Sequence, residues 1–393
     1  MIFCQISLNF LIFRCRKGKN NILSPWFTNE TMERFTKSKT MVFPREIIVG
    51  HKTTPQIVEL CTRLGTGKSA LIVADKKTKK LSGNEISKLL KKASYDVKEK
   101  IVSRPSVSEV NSVIKYANKN NIEILLGVGG GSVIDITKLA AYDLKKPYIS
   151  VPTSAAHDGI ASPRASIKHR SGSVSKTAVS PVAILADTEI IGKAPYRMLA
   201  SGCADVISNM SAVMDWELAH RLKNEEFSSH AAVLSKTAAE MLIENATDIR
   251  HGTEESTWLA VKALIVSGVA MSVAGNTRPA SGSEHMFSHM LDHLGPGIML
   301  KGKRGSKPMH GEQCGVGAIM MVYLHGGDWQ NIRKALRIIG APTTSEELGI
   351  SKKKIIEALV RAQEIRPERY TILGENGLTE DAAKKIAKIT GVI

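Results

Sequence analysis

Aromatic side chains are scarce: Phe, Trp and Tyr together make up 5% of the 393 residues. That shortage removes the stacking platforms on which unpaired bases are read, and the basic clusters Lys76–Lys80 and Lys352–Lys354 carry no interleaved aromatics, so no nucleic-acid partner is expected. Cysteine is sparse as well. The five, Cys4, Cys15, Cys61, Cys203 and Cys314, are odd in number and contain no Cys-x-x-Cys pair. This argues against a disulfide framework and a thiolate zinc knuckle, and it fits a reducing, cytoplasmic compartment. The apolar stretch from Ile2 to Phe13 is broken by Gln5, Ser7 and Asn9, and its positive charges follow it rather than precede it. It is too short for a membrane span of about 20 residues and wrongly flanked for an export signal. No transmembrane segment is expected, and no internal repeat is evident.

What is present is ordinary globular material, 43% apolar and 23% charged, in a length that suits two packed domains. The net charge of +17 is partly peripheral. Residues 1–45 hold Arg14, Arg16, Lys17, Lys19, Arg34, Lys37, Lys39 and Arg45 against only Glu30 and Glu33. We therefore expect an unordered extension over 1–44, an α/β dinucleotide-binding domain over 45–194, and a helical domain over 195–393 that binds metal and substrate.

The division rests on patterning. From Glu46 to Pro152 short β-rich runs alternate with helical ones: strands at Ile47–Val49, Ala70–Ala74, Asp96–Val102, Ile122–Val128 and Tyr148–Val151 enclose helices at Gln56–Leu64, Gly83–Ala93, Ser106–Asn118 and Ser132–Tyr142. Such alternation predicts a Rossmann-like, doubly wound parallel sheet. After Pro195 long amphipathic stretches replace it, at Ala200–Leu222, Ser228–Ala246, Thr257–Ala274, Gly282–Leu294 and Gly311–Leu324.

Gly67-Lys68-Ser69 looks like the end of a phosphate-binding P-loop, but Thr62 stands where its first glycine belongs and a strand follows it, so it is an ordinary turn. Gly127-Val128-Gly129-Gly130-Gly131-Ser132 is the better phosphate cradle. It ends an apolar strand and opens a helix, so backbone N–H groups and the helix dipole can face a pyrophosphate. Ser132 replaces the last glycine of Gly-x-Gly-x-x-Gly. Asp75, at the end of the strand Ala70–Ala74, is placed either to accept the adenosine ribose or to cap a turn. The hydroxyl-rich loop Val151–Pro163, with Thr153, Ser154, Ala155, Ala156 and Ser162, suits the cofactor's phosphates and nicotinamide.

In the helical half, His285 and His289 lie at i and i+4 on one helix face, and His310 adds a third imidazole at the start of another helix. Asp205 is a carboxylate in a small, apolar helical stretch, where a charge needs a partner or a metal. Two imidazoles and one carboxylate with an open position are the ligand set of a catalytic zinc.

In order along the chain, Gly-Gly-Gly-Ser, Pro-Thr-Ser-Ala-Ala-His-Asp-Gly, Ala-Asp-Thr-Glu, Ser-Gly-Cys-Ala-Asp, Arg-Pro-Ala-Ser-Gly-Ser-Glu-His and His-Gly-Glu-Gln-Cys-Gly resemble the sn-glycerol-1-phosphate dehydrogenases, over about residues 45–393. These group with glycerol dehydrogenase, the iron-dependent alcohol dehydrogenases and dehydroquinate synthase. The resemblance implies a dehydroquinate synthase-like fold. It also implies NAD(P)H-linked, zinc-dependent, reversible reduction of dihydroxyacetone phosphate to sn-glycerol 1-phosphate, the backbone step of ether-linked phospholipid biosynthesis. By the same carry-over, Asp205, His285 and His310 hold one Zn²⁺. The dinucleotide lies along Gly131, Ser132, Val133, Ile134, Asp135, Thr153, Ser154 and Ser162, with Gly129, Gly130, Ala155 and Ala156 beside them. Asp158, Asp205 and His289 lie at the substrate, and Asn209 stands where iron-type relatives carry a further histidine. His289, one turn from His285 and naturally titrating near neutrality, is the expected proton relay. Arg278, seven residues before His285 (285 − 278), is expected to hold the substrate phosphate, with Lys301, Lys303 and Arg304 next in line. A homo-oligomer is expected. Glycerol dehydrogenase acting on unphosphorylated glycerol is the nearest alternative, and a metal-free nucleotide-binding regulator the most distant.

Overall fold

The computed structural model describes residues 39–169, 172–295 and 307–393. The extension expected over 1–44 lies almost wholly outside them, as do Lys301, Lys303 and Arg304. Six parallel strands form the main sheet: β1 (Glu46–Gly50), β2 (Ser69–Ala74), β3 (Asp96–Ile101), β4 (Ile124–Gly129), β5 (Tyr148–Pro152) and β8 (Ala183–Asp187), in the spatial order β1-β8-β5-β4-β2-β3. An antiparallel hairpin, β6 (Arg164–His169) with β7 (Gly172–Thr177), is inserted between β5 and β8. Neither the hairpin nor β8 is among the expected strands.

Each strand alternates its side chains between two cores, as the two-residue repeat of extended chain requires. Ala70, Ile72, Ile124, Leu126, Ile149 and Leu185 pack with the helices Ile57–Leu64 and Asn84–Lys92. Leu71, Val73, Leu125, Tyr148, Ile184 and Ala186 face the other way, into a core that runs on through the helical half. The chain leaves β2 for the edge strand β3 and returns to β4 on the other side of β2, so the carboxyl ends of β2 and β4 lie side by side, with Ala74 opposite Val128. That reversal is where open α/β sheets leave a ligand crevice. Asp75 and the glycine turn both emerge there.

The long helices beyond β8 follow the expected periodicity, with one interruption. Instead of one helix over Ala200–Leu222 there are two, Tyr196–Ile207 and Asn209–Lys223. At the junction Ser208 donates its hydroxyl to the Asp205 carbonyl at 2.7 Å, a side-chain bond that competes with the helical ladder. The helix Glu254–Ala274 is long and apolar enough to cross a bilayer by length and composition, but 67% of its apolar window is buried inside the protein. Thr253 caps its start and Gly275, in the left-handed region, ends it. Cys61, Cys203 and Cys314 are buried free thiols.

Candidate active site

A cavity of about 240 Å³ opens between the glycine turn and the histidine helices, lined by Ser132, Asp135, Asp158, His285, His289 and His310 among others. At its glycine end the helix Gly131–Leu144 begins directly after β4. Gly131 is required by a close approach: a Cβ there would stand 1.6 Å from His157 Nε2. Beyond Ser132 the turn is committed to the fold. Val133 and Ile134 have buried side chains, and their amides bond to the Gly130 carbonyl at 3.0 and 3.2 Å. Asp135 Oδ1 lies 3.5 Å from Lys138 Nζ, and its Oδ2 accepts the Ser166 amide at 3.1 Å. Lys138, fully buried, donates to the carbonyls of Gly159, Ser162 and Arg164 at 2.5, 3.1 and 2.7 Å. It thereby fastens the loop that carries Asp158 to the helix Gly131–Leu144. Asp75 Oδ1 accepts the amides of Lys77 and Thr78 at 2.7 and 2.8 Å, a helix cap at the sheet's switch point. Thr153, Ser154, Ala155 and Ser162 are buried in the loop after β5, and Ala156 is half-buried there. In the rejected P-loop, the amides of Lys68 and Ser69 are taken by the chain's own Glu123, at 2.8 and 3.0 Å.

The other end brings together residues far apart in sequence. Asp205 projects from Tyr196–Ile207, His285 and His289 from the helix Ser283–Leu294, and His310 from the first turn of His310–Leu324. Gly311 permits the approach, since a Cβ there would lie 2.0 Å from the Ser201 carbonyl oxygen. His285 Nε2 and His310 Nε2 stand 3.9 and 3.7 Å from Asp205 Oδ1. Cys314, one turn after His310, places Sγ 3.6 Å from His310 Nε2. One donor atom from each of these four residues lies within 4.8 Å of all the others.

The donor set fits a divalent cation. Asp205 Oδ1 is buried with no hydrogen-bond partner among the described residues, while Oδ2 accepts the Asp158 amide at 3.2 Å. His285 Nδ1 is 2.8 Å from Glu284 Oε1, which leaves Nε2 for the cavity; His310 Nδ1 is 3.1 Å from Ser288 Oγ. Imidazoles fixed through the second nitrogen are the usual support of metal ligands. Tetrahedral zinc bonds of about 2.0–2.3 Å imply donor-to-donor edges of roughly 3.3–3.8 Å, close to the separations here.

Burial governs the electrostatics. Desolvation pushes the Asp158, Asp205 and Glu284 carboxyls up to about 7, Asp158 further aided by the Asp205 charge. It holds His285 and His289 well below the ordinary imidazole value, with His310 adding to both. Neutral His289 keeps a buried Nδ1 without a partner among the described residues. Asp158 Oδ2 accepts from Ser267 Oγ at 3.1 Å, and Asn209 Nδ2 donates to that hydroxyl at 3.0 Å. The residue standing at the iron-type histidine position thus supports the Asp158 carboxylate.

Arg278 is not brought to this cavity. Its side chain is 3% exposed. Its guanidinium grips both oxygens of Glu225 and donates to the Tyr370 carbonyl at 2.9 Å, lining a separate surface cavity with Lys223 and Glu375. Closeness in sequence to His285 suggested a phosphate role; the buried ion pair with Glu225 is what the fold makes instead. Arg366 and Arg164 line the histidine cavity. Sequence reasoning passed over Lys138, Glu284, Cys314 and Arg366. Two had a local signal: Lys138 lies one turn after Asp135 in an otherwise apolar helix, and Glu284 adjoins His285.

Nearby, fully buried Asp215 ties two segments together. Its Oδ2 accepts the Ser283 amide and hydroxyl at 2.7 and 2.5 Å, and its Oδ1 accepts the Ile372 amide at 2.7 Å and lies 3.0 Å from His325 Nε2.

Comparison with known proteins places the chain in a family. The family model for iron-containing alcohol dehydrogenases matches residues 48–195. The chain is 52% identical over 356 residues to the glycerol-1-phosphate dehydrogenase (NAD(P)+) of Methanosarcina mazei, covering 91% of this chain and 97% of the relative. With the enzyme of that name from Thermococcus sibiricus it shares 50% over 354 residues, covering 90% and 98%. Among solved structures, glycerol dehydrogenase from Schizosaccharomyces pombe superposes with a TM-score of 0.73 at 21% identity, covering 91% of this chain and 92% of that one. Sulfoacetaldehyde reductase from Bifidobacterium kashiwanohense, in complex with NAD+, gives a TM-score of 0.69 at 17% identity, covering 90% and 98%. At such identities the structural likeness speaks to the fold.

Proposed function

The chain belongs to the glycerol-1-phosphate dehydrogenases, and from that premise we propose that it reduces dihydroxyacetone phosphate with NAD(P)H and a proton to sn-glycerol 1-phosphate and NAD(P)+, reversibly, in the cytoplasm. The product is the glycerophosphate backbone of ether-linked phospholipids. The observation that carries the reading is the convergence of Asp205, His285 and His310 on one unpartnered carboxylate oxygen, at the wall of a cavity that reaches the glycine turn. Asp205, His285 and His310 would hold a zinc ion, with the Cys314 thiol as a neighbouring soft donor. When bound, the cation supplies Lewis acidity to the substrate oxygen and the dinucleotide supplies the hydride.

The protein's own residues do the rest. Glu284 and Ser288 orient the two liganding imidazoles. His289, neutral and with Nδ1 without a partner among the described residues, relays the proton: one ring nitrogen gives its N–H proton to the carbinol oxygen as the other takes one up from solvent, and the relay runs backwards in the reverse direction. Asp158, steadied by Ser267, orients the substrate hydroxyl. Lys138 keeps the Asp158 loop at a fixed distance from the dinucleotide helix. The amides of Gly131 and Ser132, the first of that helix, face the pyrophosphate. Asp75, beside the exposed Lys76 and Lys77, accommodates both NADH and NADPH.

One assay tests this. Purified protein should oxidise NADH with dihydroxyacetone phosphate far faster than with dihydroxyacetone, should stop on chelation, and should recover with added Zn²⁺. Equal rates with both ketones would move the reading to glycerol dehydrogenase; full turnover in a metal-free preparation would refute it.

A further inference from the structure

Arg164 and Arg366 line the histidine cavity, Arg278 and Arg369 line cavities beside it, and of these four guanidinium groups three are engaged. Arg278 is held by Glu225 and Tyr370. Arg164 donates to Ser175 Oγ, Thr177 Oγ1 and the Ser175 carbonyl at 3.3, 2.6 and 3.3 Å. Arg369 donates to the Ser281 carbonyl and, at 2.9 Å, to Thr277 Oγ1. Arg366 differs. Among the described residues its guanidinium makes one hydrogen bond, Nη1 to Ser281 Oγ at 3.2 Å, and no ion pair. It lines the same cavity as His285, His289 and His310. Burial and neighbouring Arg164 press its pKa below the usual guanidinium value, against the weaker pull of Glu368 and Glu284. Its charge in turn bears on His285 and His289, which puts it at the imidazole end.

A guanidinium has five donors in a planar fork that matches the oxygens of a phosphomonoester two at a time. Keeping such a fork nearly unpaired in a half-enclosed cavity is costly unless an anion fills it. We propose that Arg366 receives the phosphate of the substrate, the role that closeness in sequence had suggested for Arg278. The inference rests on the active-site reading above. Ser281 fixes the geometry: it accepts from Arg366 and Arg369 and lies four residues before His285 (285 − 281), so the phosphate clamp and a metal-ligand candidate share one short segment.

The test compares wild type with Arg366→Gln and Arg366→Lys, measuring kcat/KM for dihydroxyacetone phosphate and for dihydroxyacetone, the KM for NADH, and competitive inhibition by inorganic phosphate. The ratio of the two kcat/KM values should fall roughly ten- to hundredfold in Arg366→Gln, as expected for loss of a charge-assisted contact, and by less in Arg366→Lys. Phosphate inhibition should weaken in parallel. An unchanged ratio overturns the proposal. So does a raised KM for NADH at constant ratio, which would give the fork to the dinucleotide pyrophosphate, and so does an equal fall for both ketones. Should Arg366→Gln lose its fold by circular dichroism, the ratio in Arg366→Lys decides. If wild type itself shows no preference for the phosphorylated ketone, the substrate assignment fails, and phosphate inhibition alone still reports whether Arg366 binds an anion.

Discussion

At the glycine end of the cavity, Lys138 meets three carbonyls and a carboxylate, Asp135 meets a lysine and an amide, and the amides of Val133 and Ile134 are bonded within the turn. At the imidazole end, and among the described residues, Asp205 Oδ1 and His289 Nδ1 are buried without partners and Arg366 makes a single hydrogen bond. Leaving a buried polar atom unsatisfied costs about 1–3 kcal/mol. In this cavity such costs fall where a ligand can offset them. The comparison separates two kinds of polar residue in one cavity: those already satisfied by protein hold its shape, and those left open await what the protein binds.

The sharpest way to break the open end is Asp205→Ala. Removing the one carboxylate of the donor set should abolish stoichiometric metal, read by atomic absorption, and lower turnover by roughly a thousandfold, the scale of several kcal/mol of Lewis-acid stabilisation. At the saturated end, Lys138→Met leaves Asp135 buried with its lysine gone. Stability should drop by about 3–5 kcal/mol in urea unfolding while metal content in the surviving native fraction stays at wild type; an unchanged midpoint would show that the pair is dispensable. Glu284→Gln keeps the shape but weakens the hold on His285 Nδ1. Zinc affinity should fall roughly ten- to hundredfold by competition with a chromophoric chelator, and unaltered affinity would deny Glu284 an orienting role. Smallest of all should be Arg278→Met. Its partner Glu225 is 34% exposed and can be rehydrated, so a loss of about 1–3 kcal/mol is expected, with no change in the preference for the phosphorylated ketone. A selective loss of that preference would restore the phosphate role to Arg278 and count against Arg366.

The sequence was most legible where chemistry and local pattern coincide. An apolar run ending in three glycines needs no tertiary information to read as a strand entering a helix, and β4 with Gly131–Leu144 follows that pattern. Asp205, His285 and His310 stood out because each interrupts apolar or amphipathic surroundings with a metal-binding side chain. What could not be read depends on non-local pairing. β8 is a five-residue strand whose place between β1 and β5 is fixed by neighbours more than a hundred residues earlier on one side, as in Glu46 opposite Ala183. The burial of Arg278 away from the histidine cavity could not be read for the same reason. Seven residues separate Arg278 from His285 and eighty-one separate Arg366 (366 − 285), yet Glu225, distant from both in sequence, is what occupies the nearer one.

The bonds made by Asp215 carry one more consequence. A single buried carboxylate grips the first turn of the helix bearing His285 and, with its other oxygen, the chain six residues beyond Arg366 (372 − 366). With a ketone oxygen held at the imidazoles and a phosphate at Arg366, Asp215 sets the span between them as the frame of a caliper sets the gap between its jaws. Selection for a three-carbon chain would then be a measurement of length, made by a residue that touches neither end of the molecule being measured.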